Sequence, residues 1–142
     1  MEIKEKTVQQ YTFISKNQDP VHVWIDEWTT QEAGETIFKG RIVVVCYGVA
    51  LNHFWGSMGR PMKEFILECD TGYILDKFES NVRNSMCPRA YDVAIDKEDN
   101  ITRTESDAIV EMSESQKEYI KRIIEVIKQG FQEISTKVGE NG

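Results

Sequence analysis

Disulfide patterns, basic runs, membrane-length apolar segments and metal-ligand spacings are all missing from this 142-residue chain. Its three cysteines, Cys46, Cys69 and Cys87, are odd in number and none stands in a CxxC spacing. A disulfide-stapled secreted domain carries an even, closely spaced set. The opening Met1-Glu-Ile-Lys-Glu-Lys has no apolar stretch of the signal-peptide kind, and no run approaches a membrane span. The longest apolar stretch, Ile42 to Tyr47, suits a buried strand. A cytoplasmic protein with reduced thiols and no membrane association is therefore expected. Lysine and arginine total 17 against 24 acidic residues, a formal net charge of −7. Nucleic-acid binders need a basic stripe to neutralise phosphates. None is present, so direct nucleic-acid binding is not expected. The charge suits a soluble protein, and it leaves open an acidic face that docks on a basic partner or imitates nucleic acid. Histidine is scarce, with only His22 and His53, and there is no HExxH or CxxC. Neither a metal nor a cofactor is expected.

What is present is material for one core. The length is that of a single domain, and 40% of residues are hydrophobic and 10% aromatic. Val8 to Ser15 alternates as a first strand, with Tyr11 and Phe13 on one face and Thr12 and Ile14 on the other. Lys16 to Pro20 is a turn. Val21 to Trp28 is a second strand, whose Val21, Val23 and Ile25 oppose His22, Trp24, Asp26 and Trp28. Thr29 to Lys39 reads as a flexible loop. Arg41 to Tyr47 is β-branched on both faces, as in a central strand. Leu51 to Trp55 is a short fourth strand in an antiparallel meander. From Pro61, apolar residues at helical spacing run from Met62 to Phe78, with Gly72 weakening the middle and able to divide the helix. Tyr91, Val93 and Ile95 suggest another short strand, and Asp96 to Asn100 a charged turn. Ser113 and Gln116 have capping-box spacing. Behind them Ile120, Ile123, Ile124, Ile127, Phe131 and Ile134 define a long helix, with Gly130 a weak point and Gly139 to Gly142 a frayed tail. The expected fold is α+β. A three- to four-stranded antiparallel sheet carries helices on one face and ends in a long C-terminal helix. All 142 residues form one domain, with sheet and first helix over 8–80 and an irregular acidic segment plus helix over 81–136.

Chemistry is thinly supplied. His22 and Asp26 share a strand face but stand about 13 Å apart along it, too far for a direct hydrogen bond. Cys46 and Cys69 fall on apolar positions, and Cys87 precedes a proline in a loop. The turn Gly56-Ser-Met-Gly-Arg-Pro61 could hold an anion on free N–H groups with Arg60 assisting. It lacks the Lys-Ser/Thr ending of a phosphate loop, and it equally suits a strand-to-helix connection. Trp24, Trp28, His53, Phe54 and Trp55 gather on one region of the sheet, as core or as a partner-binding surface. No catalytic residue is assigned. The candidate binding residues are Trp28, His53, Trp55 and Arg60. The carboxylates of Asp96 to Asp99, Glu105, Asp107, Glu111 and Glu114 are where an acidic docking face would fall.

Two stretches carry a resemblance. One is Val21-His-Val-Trp-Ile-Asp after an Asp-Pro turn. The other is Leu51-Asn-His-Phe-Trp-Gly-Ser-Met-Gly, followed by Lys63-Glu-Phe-Ile and Asp70-Thr-Gly-Tyr-Ile-Leu-Asp-Lys77. Over residues 8–80 the chain resembles a group of small proteins encoded by phages and prophages. The resemblance implies an accessory gene product acting inside a bacterium by binding and modulating a host protein, and it transfers no catalytic residue. The expectation is accordingly a non-enzymatic protein that works by protein–protein contacts. The alternatives are a small enzyme or ligand-binding protein centred on His22, His53 and the Gly56–Gly59 turn, or an acidic nucleic-acid mimic.

Overall fold

The computed structural model describes residues 1–81 and 112–141. The strand expected at Tyr91 to Ile95, the Asp96 turn, Cys87 and the carboxylates from Asp96 to Glu111 lie outside the described residues. Four strands form one antiparallel meander in the order β1 (Gln9–Phe13), β2 (Val21–Glu32), β3 (Glu35–Cys46) and β4 (Val49–Trp55). Among the described residues three helices follow: α1 (Met62–Glu68), α2 (residues 71–81) and α3 (Glu114–Asn141). The fold is α+β.

Strand alternation decides which face is buried. Val23 and Ile25 pair in register with Val44 and Ile42, Val21 lies on the same face, and all five are at most 2% exposed. Leu51 and Trp55 of β4 complete this face. Over it lie Met62 and Ile66 of α1, Ile74, Leu75 and Phe78 of α2, and the isoleucine stripe of α3 with Phe131. Tyr11 and Phe13 stack on each other, and both meet the Phe131 ring edge-on at 5.9 and 5.6 Å between centroids. These contacts fix α3 to the edge strand.

Two local readings are corrected. Thr29 to Lys39 is not a loop but the far end of a long ribbon, in which β2 and β3 pair from His22–Val45 out to Glu32–Glu35. Its turn is only Ala33-Gly34, with φ of 52° and 82°. That is the positive-φ pair a type I′ hairpin needs. Alanine in place of the usual asparagine hides the signal. The first helix does divide, but at Cys69-Asp70 rather than at Gly72, which lies in the first turn of α2. Cys69 is already extended, with ψ of 142°.

The clamps on α1 explain how so short a helix holds. The Glu27 carboxylate accepts the Met62 N–H at 2.8 Å, so a strand side chain caps the N-terminus. The Lys128 ammonium of α3 donates to the Cys69 carbonyl at the other end. Negative charge at the first and positive charge at the last turn both favour the helix dipole. In α3 the capping box is complete: Gln116 N–H donates to Ser113 Oγ at 3.2 Å, and Ser113 N–H to Gln116 Oε1 at 3.0 Å. The helix runs on to Asn141, into the tail expected to fray from Gly139.

Candidate functional site

The opposite face of the sheet bears no helix among the described residues, and it concentrates the polar and aromatic side chains left over from the core. Trp28 on β2 and Phe54 on β4 are 39% and 42% exposed. Their rings stack at 5.9 Å with a 24° tilt. Cations close both ends of this stack. Lys6 Nζ lies 5.2 Å from the centre of the Trp28 ring, and the Arg41 guanidinium lies 5.8 Å from that of Phe54. Lys6 also forms an ion pair with Asp26 at 2.6 Å. Half-buried Trp24, Val43 and Val45 continue the surface. His22 sits at its far end, with its Nδ1 3.0 Å from the Thr12 hydroxyl.

The sequence-based candidates do not converge. Trp28 belongs to the open face. His53 pairs in register with Ile42, whose side chain is 1% exposed, so His53 points to the helix side. There it meets Trp55 edge-on at 4.6 Å. Trp55 is buried, lies 5.3 Å from the Phe65 ring and donates its Nε1–H to the Tyr73 hydroxyl at 3.3 Å. Arg60 is paired with Glu68. His22 and His53 thus occupy opposite faces of the sheet, which disposes of direct cooperation between them. Just past the Gly56–Pro61 turn, the Met62 N–H is taken by the chain's own Glu27 carboxylate.

The electrostatics of the helix side are those of packing. Burial, helped by Lys77, holds His53 below its ordinary 6.5, and its Nδ1 has no hydrogen-bond partner among the described residues. Burial pushes the Cys69 thiol up, the reverse of what a nucleophile needs. Buried Cys46 lies 3.3 Å from the Tyr119 hydroxyl, which donates to Asp19 at 2.7 Å. These bonds, the one to Cys46 foremost, raise the tyrosine's pKa. They tie α3 to the turn before β2.

Sequence reasoning treated Trp24 to Trp55 as one aromatic region. Parity splits it, leaving Trp24, Trp28 and Phe54 outside and His53 and Trp55 within. Lys6 and Arg41 were missed altogether. The alternation of β3 and β4 carries the signal for Arg41 and Phe54, whereas Lys6 precedes every strand.

These features define a small α+β protein whose meander is backed by helices on one side and presents an aromatic, cation-flanked surface on the other. The chain belongs to a phage family: the Phage_phiTE_072 family model, described as a phage family, matches residues 1–133. The match therefore takes in α3 as far as residue 133, as well as the stretches that carried the resemblance. No curated protein and no solved structure matches the chain.

Proposed function

We propose that this chain is a non-enzymatic accessory protein of a phage or prophage, which binds and modulates a bacterial host protein through its open sheet face. The observation that carries the reading is the exposed Trp28–Phe54 stack between Lys6 and Arg41. Tryptophan and arginine dominate binding energy at protein interfaces, and a stacked pair loses little conformational freedom on docking. Membership of a phage family supplies the setting. The work is done in the host cytoplasm and involves no direct contact with nucleic acid. Affinity purification from host lysate with mass spectrometry tests it, comparing wild type with a Trp28→Ser/Phe54→Ser variant. A host protein captured by the first and lost by the second is expected. Identical captures, or none with the wild type, would overturn the reading.

A further inference from the structure

We propose that Asp26 and the Trp28 ring form a recognition site for a basic side chain of the partner, and that Lys6 of the chain's own N-terminal segment holds this site in the free protein. The inference rests on the reading of the open face as a protein-docking surface and specifies the chemistry of what docks. A carboxylate beside an aromatic face is the combination that selects ammonium and guanidinium groups. Here a lysine is already seated in it, with Nζ 2.6 Å from Asp26 Oδ1 and 5.2 Å from the ring centre.

The two recognition groups are held firmly. Asp26 is 27% exposed and paired across the sheet with Arg41. Trp28 is braced by Phe54. The occupant is held loosely. Residues 1–8 form no strand and all are exposed, and Lys6 itself is 61% exposed. The β1 ladder ends at the Gln9–Ile25 pair, so Asp26 lies just past the last strand pairing on that side. Arg41 does not compete for Asp26: it lies over Phe54 and makes no ion pair among the described residues. An exposed ion pair is weak, so a partner's lysine or arginine can displace Lys6. The chain's net charge of −7 steers a basic partner toward it.

The test titrates the full chain with a short acetylated, amidated oligolysine peptide at low salt. Binding is followed by tryptophan fluorescence, with oligoglutamate of equal length as control. Lys6→Gln should bind about 3- to 10-fold more tightly than wild type, because an internal competitor has been removed. Adding Asp26→Asn to Lys6→Gln should lower affinity at least about tenfold. Unchanged melting temperatures show that both variants are folded. Equal affinity of wild type and Lys6→Gln overturns the proposal, as does oligolysine binding that survives Asp26→Asn. If that happens while a host protein is still captured through Trp28 and Phe54, only the cation site falls. If oligolysine binding follows Asp26 but no host protein is captured, the cation site stands and the host-protein reading falls.

Discussion

At Gly130 the C-terminal helix lies against the Phe13 side chain of the edge strand. A Cβ there would overlap the Phe13 ring, with three ring atoms all within 2.7 Å. Glycine costs an exposed helix about 1 kcal/mol relative to alanine, yet here it admits an aromatic ring that locks α3 to β1. Gly130→Ala should therefore destabilise the protein by about 1–3 kcal/mol, the usual scale of overpacking. In a Phe13→Ala background the same change should be neutral or stabilising, and urea midpoints of the four proteins measure the coupling. His53 is the second residue with a consequence of its own. Its folded pKa lies below 6.5 through burial and the nearby Lys77 charge, so the unfolded chain takes up the proton more readily. Stability should fall as pH drops through 6.5 toward the folded value, because protons then favour the unfolded state. His53→Gln should flatten the denaturation midpoint between pH 7.5 and 5.5. An identical slope in both proteins would show that His53 does not govern this range.

Among the elements, the β2–β3 ribbon depends on its turn. Ala33 adopts φ of 52°, a conformation that asparagine and glycine take more readily. Ala33→Asn should stabilise the protein by about 0.5–1 kcal/mol through the relieved backbone cost, read as a raised melting temperature. A lowered one would mean that the ribbon closes by another turn. The ribbon's strands were only half legible. Thr29, Thr30, Thr36 and Ile37 are β-formers, but polar residues and an Ala-Gly turn hid their pairing. The helices α3 and α1 differed in how far they were legible. In α3 the apolar period and the capping box agree. In α1 no local signal marks the stop after Glu68, because the clamps come from Glu27 and Lys128, which are distant in sequence.

On the scale of the whole molecule, the core and the proposed docking surface lie on different sides of one sheet. Ile124 is 1% exposed and lies in the core cluster, so Ile124→Ala should cost about 2–5 kcal/mol. Phe65 is only partly buried against that cluster, and its truncation should cost less. Trp28→Ser and Phe54→Ser remove rings from the open face and should leave the melting temperature nearly unchanged while abolishing partner capture. Thermal melts of all four variants separate the two roles. A large loss of stability from the Trp28 change would return that residue to the core.

The sequence by itself determined the α+β class, the meander order, the aliphatic face of β2 and the stripe of α3, because alternation and helical period are local properties that burial must obey; it read β3 as buried on both faces, and the structure opens one of them at Arg41. It also determined that His22 and Trp28 oppose Val23 and Ile25. Only the tertiary structure decided which aromatics meet. Cross-strand register brings Trp28 to Phe54 and sends His53 and Trp55 beneath the helices. The path of the N-terminal segment brings Lys6 onto Asp26. Register and chain path sum contacts between residues far apart in sequence, and no local pattern records them.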